Sequence, residues 1–175
     1  MSQDYRVYRS QFIINNQQEL IKEIDRAHLK FKNVLKEKDA TWHYNKYNIF
    51  SLTAPSYLFY SLFNELKYNI RDFIGTDKPL WFQSWVNYHQ PDEVLDWHTH
   101  AFPYHGYISI DPKDTKTVFR GYEIKNEVGN IYLGPGYREH KVVVVDKNFK
   151  SPRITLGFDI TDVPGENNLL SLIPI

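Results

Sequence analysis

The chain has 175 residues, with 21 Lys and Arg against 21 Asp and Glu, so its formal net charge is zero. That length suits one good core rather than two ordinary domains, and the balanced charge offers no field for nucleic acid or an anionic membrane. The absence of cysteine removes disulfides, thiolate catalysis and thiolate metal ligands together. With no apolar stretch in Met1 to Ser10 and no run of about 18 apolar residues elsewhere, a soluble, cytoplasmic protein with no membrane partner is expected.

Two helical patterns come first. From about Asn16 to Lys38, the positions Leu20, Ile21, Ile24, Ala27, Phe31, Val34 and Leu35 form one apolar stripe, and Asn16 with Glu19 resembles a capping box. Tyr47 to Leu52 reads as a short strand. A second helix starts after Thr53 and Pro55, buries Phe59, Leu62, Phe63, Leu66, Ile70 and Phe73, and stops at Gly75. From Leu80 the texture changes to short β-branched and aromatic runs separated by Gly, Pro, Asp and Asn, as in antiparallel sandwiches and barrels. The candidate strands are Leu80 to His89, Leu95 to His100, His105 to Ile110, Thr117 to Ile124, Asn130 to Leu133 with His140 to Val145, and Arg153 to Ile160. The tail from Val163 to Ile175 is expected to pack back as an apolar end. An α+β single domain follows: helical support over about 1–78, a jelly-roll-like double sheet over about 79–162, and a tail over 163–175. Aromatics make up 16 % of the chain, which suits β-structure with aromatic-lined cavities.

The segment Asp96-Trp97-His98-Thr99-His100 carries the strongest chemical signal. Side chains at i and i+2 of a strand share a face, so His98 and His100 can grip one ion, and imidazole suits Fe, Zn, Cu and Ni. Candidates for a third ligand are His140, His105, Asp96 and Asp111. His140 is the best placed, because it follows the turn Gly134-Pro135-Gly136 and opens an apolar strand that can fold over the pair. The plain alternative is two histidines partly buried in a sheet. The last strand alternates cleanly, with Ile154, Leu156, Phe158 and Ile160 on one face and Arg153, Thr155, Gly157 and Asp159 on the other. If the apolar face packs under the helices, Arg153 and Thr155 turn into the barrel, where an unpaired guanidinium is costly and calls for a carboxylate. A bound dicarboxylic acid is one such partner; an Arg at a sheet edge reaching water is the alternative.

The order H-x-H, then His about forty residues on, then Arg-x-Thr about a dozen later resembles the iron(II)- and 2-oxoglutarate-dependent dioxygenases. Within them, Trp85 to Ile160 is most similar to the prolyl-4-hydroxylase-like branch and short bacterial and phage oxygenases. That resemblance implies a double-stranded β-helix (jelly-roll, cupin-like) with two N-terminal supporting helices. It implies Fe(II) held by His98, His100 and His140, and 2-oxoglutarate held by Arg153 with support from Thr155. It also implies a tyrosine at the position of Tyr88, ten residues before His98, and a hydroxyl on the co-substrate from Tyr107 or Ser109. One departure stands out: the family's H-x-D/E acid is here His100, leaving Asp96 as the carboxylate that could restore it. The implied reaction is hydroxylation of a C–H bond in a peptide, prolyl or small-molecule substrate, with O2 consumed and succinate and CO2 released. Trp81, Phe82, Trp85, Tyr88, Trp97, Phe102 and Tyr104 are the aromatics available to exclude water and shape the mouth. The rival readings are a cupin-like metal- or ligand-binding module without turnover, and a three-histidine zinc hydrolase. Substrate and oligomeric state are not encoded in any recognisable motif.

Overall fold

The computed structural model describes residues 4–35, 47–93, 95–163 and 171–175, and for 31–35 the backbone. A short strand β1 (Arg6–Arg9) leads into α1 (Gln11–Asn15), α2 (Gln17–Leu35), α3 (Ile49–Leu52) and α4 (Tyr57–Ile74). Eight further strands follow: β2 (Trp81–His89), β3 (Tyr104–Asp111), β4 (Thr115–Phe119), β5 (Tyr122–Lys125), β6 (Asn130–Pro135), β7 (His140–Val144), β8 (Arg153–Thr161) and β9 (Ile173–Pro174). They form a six-stranded sheet in the order β1-β6-β3-β8-β2-β9 and a three-stranded sheet in the order β5-β4-β7. All the pairings are antiparallel. This is a jelly-roll of the cupin type, with helices against one face of the large sheet.

The helix ends follow from local chemistry. Ser10 caps α1 by accepting a bond from the Ile13 amide at 3.0 Å, and Ser56 caps α4 through the Phe59 amide at 3.4 Å. Gly75 ends α4 in the left-handed region at φ 70°, where a side chain would be strained. The helical stripes do what their spacing implies: Leu20, Ile24, Leu62, Leu66 and Ile70 join Phe82, Val86, Ile108, Leu156, Phe158 and Ile160 in one core. Among the described residues no helix is long and apolar enough to cross a membrane.

Several expectations need correction. Tyr47 to Leu52 is no strand: Asn48 Oδ1 accepts from the Phe50 amide at 3.1 Å and starts α3, a cap outweighing a short apolar run that periodicity could not classify. Asn16 does not cap α2 with its side chain; its amide donates to Phe12 O at 2.8 Å and closes α1 instead. Thr117 to Ile124 divides into β4 and β5 around Gly121. Leu95 to His100 forms no continuous ladder and contributes a single bridge, His98 to His140. At the tail, β9 pairs with β2. The Phe31, Val34 and Leu35 side chains, the extension to Lys38, and 164–170 lie outside the described residues.

Candidate metal centre

Register places the chemistry. The odd-numbered residues of β8 face the barrel interior, and pairing aligns them in rows with β2 and β3: Gln83–Asp159–His105, Trp85–Gly157–Tyr107, Asn87–Thr155–Ser109 and His89–Arg153. The even-numbered residues face the helices. One strand parity therefore separates a polar interior from an apolar core.

His98, His100 and His140 offer ligand atoms that all lie within 4.8 Å of one another. His140 opens β7, and the segment before β3 is tied to it by reciprocal backbone bonds, His98 N to His140 O and His140 N to His98 O, each 3.0 Å. His100 N donates to Gly136 O at 2.9 Å. Gly136 is required there: a Cβ would stand 1.9 Å from Phe102 O, so any other residue would push the turn off the loop that carries His100. The ring orientations are fixed from behind. His98 Nδ1 lies 2.6 Å from Asp96 O and His140 Nδ1 lies 2.9 Å from Arg138 O. A carbonyl only accepts, so both Nδ1 atoms carry the hydrogen and both Nε2 lone pairs are left for a metal. Burial lowers the pKa of His98 and His140, which keeps the rings in the neutral form that coordinates. These donors fit a divalent first-row metal with open positions.

The carboxylate of this region is Asp159, not Asp96. The Asp96 side chain is exposed and only its carbonyl serves the site. Asp159 is fully buried, with Oδ1 2.9 Å from His100 Nδ1 and 3.0 Å from His105 Nδ1 and Oδ2 accepting from Gln83 Nε2 at 3.1 Å. Burial would raise its pKa, but hydrogen bonds from His100 and His105 outweigh that and hold the group below the ordinary carboxylate range. Of the other ligand candidates, His105 also lines the cavity, its ring stacked on His100 and its Nδ1 engaged by Asp159, while Asp111 pairs with Lys113 at 2.6 Å.

Arg153 is 3 % exposed. Burial lowers its pKa to about 10, so the guanidinium stays cationic at neutral pH. Its Nη1 is 3.4 Å from His89 Nδ1, while its Nε has no hydrogen-bond partner. Nor do the buried hydroxyls of Ser109 and Tyr107. Thr155 Oγ1 accepts from Asn87 Nδ2 at 3.2 Å, and Asn87 Oδ1 accepts from Trp85 Nε1 at 3.2 Å. Such unsatisfied donors are costly in a closed interior, and together they form a cradle for an anion. Tyr88 is no part of it. Being even-numbered, it lies on the helix side, where its hydroxyl donates to Asp25 at 2.9 Å and its ring stacks on His28. Tyr88, which the resemblance placed at the co-substrate, is thus outside the interior row that Asn87, His89 and Arg153 share.

One cavity joins the two ends, lined by His98, His100, His140, Tyr107, Thr155 and Arg153 with Trp85, Leu95 and Val142 among others. Its free volume is about 40 Å³, room for a few water molecules, so a larger ligand enters only as lining side chains shift. Gly157 makes room for Trp85, whose indole would lie 2.6 Å from a Cβ at that position. Trp97, beside His98 in sequence, is covered by Arg120, 3.7 Å from the ring centroid. Phe82 instead belongs to the core and Tyr104 packs on Phe73. A larger groove of about 400 Å³ lies on the helix side, between Phe50, Pro55, Tyr60 and Phe63; it is apolar and holds no acid, base or metal ligand.

Comparison with protein-family models finds no match, and neither does comparison with curated proteins. Among solved structures, the chain is similar to an oxidoreductase of the 2OG-Fe(II) oxygenase family from Burkholderia pseudomallei, at 16 % identity and a TM-score of 0.50 over 63 % of this chain and 61 % of that one. It also matches a cupin-2 domain protein from Shewanella frigidimarina (22 % identity, TM-score 0.34, 45 % of this chain, 69 % of that one). A third match is the non-haem α-ketoglutarate-dependent epimerase SnoN from nogalamycin biosynthesis (10 % identity, TM-score 0.41, 55 % and 52 %). The Burkholderia protein shares the jelly-roll fold of this chain, and at this identity the likeness is one of fold.

Proposed function

We propose that the protein is an Fe(II)- and 2-oxoglutarate-dependent dioxygenase that hydroxylates a C–H bond of a peptide, prolyl or small-molecule substrate. The observation that carries this reading is one cavity holding both a three-imidazole donor set and a buried guanidinium with an unpartnered Nε. His98, His100 and His140 would hold the iron. Arg153 would grip the distal carboxylate of 2-oxoglutarate, its planar fork matching that group, with Ser109 or Tyr107 donating a hydroxyl and Thr155 bracing the pair. Iron bound there supplies activation of O2 for an oxidation in which 2-oxoglutarate is converted to succinate and CO2. Trp85, Leu95 and Val142 exclude water, and the loops around Leu95 and Trp97 meet the substrate.

The zinc-hydrolase reading lacks a general base, because Asp159 is not among the residues that line the cavity and its oxygens are engaged by His100, His105 and Gln83, and it leaves the buried Arg153 unused. Anaerobic titration with Fe(II) and then 2-oxoglutarate tests the proposal. The expected result is a visible charge-transfer band that requires both additions, followed by succinate release on admitting O2. Retention of Fe(II) with neither band nor succinate would leave a metal-binding module. Loss of metal retention by about 100-fold or more is expected for His140→Ala, given the 10–100-fold that even indirect partners contribute.

A further inference from the structure

The cavity lining contains five histidines and an arginine but no carboxylate. Under the reading above, a divalent iron and the Arg153 cation bring three positive charges into a closed interior, and the 2-oxoglutarate dianion offsets two of them. A buried charge left uncompensated is costly. The nearest buried carboxylate is Asp159, one residue away from the lining, directly behind His100.

Two roles are open to it, and geometry separates them. His100, His105 and Asp159 also lie close enough together to suggest a second metal pocket. However, the His100 and His105 rings are stacked, with centroids 3.6 Å apart and planes within 13°. An imidazole binds metal in its own plane at about 2 Å, a reach too short for two rings stacked at that spacing to meet on one ion without leaving their planes. The longer N···O reach lets Asp159 Oδ1 lie between the rings, 2.9 Å from His100 Nδ1 in an ion-pair contact and 3.0 Å from His105 Nδ1 in a hydrogen bond. With Gln83 on the other oxygen, the Asp159 carboxylate is an acceptor throughout.

We propose that Asp159 is a positioning residue that supplies, through His100, the negative charge which the H-x-H motif leaves out of the metal centre. It orients His100 so that Nε2 faces the other two rings, and it polarises the imidazole toward imidazolate, making it a stronger donor. His105 and Gln83 hold the carboxylate in place. A carboxylate one bond network removed from the metal thus does the electrostatic work of one that ligates it. This inference rests on the metal reading above.

The test is an anaerobic Fe(II) titration and an Fe(III)/Fe(II) potential measurement on the parent, Asp159→Asn, His100→Asp and the double variant. Asp159→Asn is expected to weaken Fe(II) binding about 10–100-fold and to raise the potential, since less negative charge favours the reduced ion. With His100→Asp the carboxylate sits at the metal itself, so adding Asp159→Asn should leave affinity unchanged or increase it. An equal loss in both backgrounds would mean a purely structural role and would overturn the proposal, as would an Asp159→Asn protein with parental affinity and potential. If Asp159→Asn does not fold, His105→Phe replaces it. That variant keeps a ring stacked on His100 while leaving Asp159 Oδ1 to His100 alone, so the potential must fall; an unchanged or higher value refutes the idea. A parent that retains no Fe(II) overturns the metal reading itself and this inference with it. A parent that binds iron beside an indifferent Asp159→Asn overturns only the latter.

Discussion

On the helix side of β8, Ile154, Leu156, Phe158 and Ile160 are at most 2 % exposed and belong to the main hydrophobic core. On its other side Arg153, Thr155 and Asp159 are just as inaccessible, at 3 % or less, yet each is polar or charged. Burial alone therefore does not distinguish scaffold from site. What differs is satisfaction. The apolar face gains from every contact it makes, whereas the polar face keeps Arg153 Nε, Ser109 Oγ and Tyr107 Oη without partners. The first face contributes apolar burial, whereas the second keeps buried polar atoms that the protein leaves unpaired.

The largest test of this contrast is Leu156→Ala. A fully buried core leucine should cost about 2–5 kcal/mol of unfolding free energy, measured by urea denaturation. Fe(II) affinity of the folded fraction should stay at the parental value, because the truncated side chain faces away from the histidines. A drop in affinity matching the stability loss would mean the two faces are coupled.

Arg153→Met reverses the pattern. Binding of 2-oxoglutarate, followed by calorimetry on the metal-loaded protein, should weaken by at least ~2 kcal/mol, the size expected for losing a buried charge-assisted pair. The ligand-free protein should keep its stability or gain about 1 kcal/mol, since an apolar side chain of similar length relieves the desolvation of a cation without a carboxylate partner. Marked destabilisation of the free protein would show that Arg153 is a structural cation instead.

The interior face also predicts an acid sensitivity. Burial and the neighbouring Arg153 lower the pKa of His89 from 6.5 to about 3, so between those values the folded chain binds fewer protons than the unfolded one. Stability is then fully present above about pH 6.5 and declines as the pH falls, at up to about 1.4 kcal/mol per unit from this residue. Urea unfolding of the metal-free protein at pH 6.5 and 5 should show a loss roughly 1–2 kcal/mol smaller for His89→Gln than for the parent. Equal losses would mean that His89 is charged, or accessible, in the folded state.

The contrast between the faces was legible in sequence because a strand's period of two is strict: Arg153 to Ile160 sorts its residues correctly without any structure. The pair His98 and His100 was legible for the same reason, although the segment is held by one bridge and the Gly136 contact rather than by a ladder. Asp159 was assigned to the polar face yet not to the metal region. Its partners His100 and His105 are more than fifty positions away, joined by β3–β8 register and by a loop crossing, and neither leaves a local signal. Tyr47 to Leu52 failed differently: six residues of apolar and β-type character cannot outweigh one capping asparagine.

Tyr88 exposes the remaining gap between spacing and parity, and gives the smallest expected effect. Its distance from His98 along the chain fits a co-substrate tyrosine, but β2 pairs His89 with Arg153, so the interior row runs through the odd positions and Tyr88 falls outside it. Its hydroxyl belongs to a bond with Asp25, and burial with that neighbour raises its pKa to about 12. Tyr88→Phe should therefore lower stability by only about 0.5–1 kcal/mol, the worth of one partly exposed hydrogen bond, while 2-oxoglutarate affinity stays at the parental value. The paired measurement is what decides. A fall in affinity with stability intact would put the hydroxyl inside the barrel, shift the parity of β2 by one, and remove Asn87 and His89 from the cradle with it.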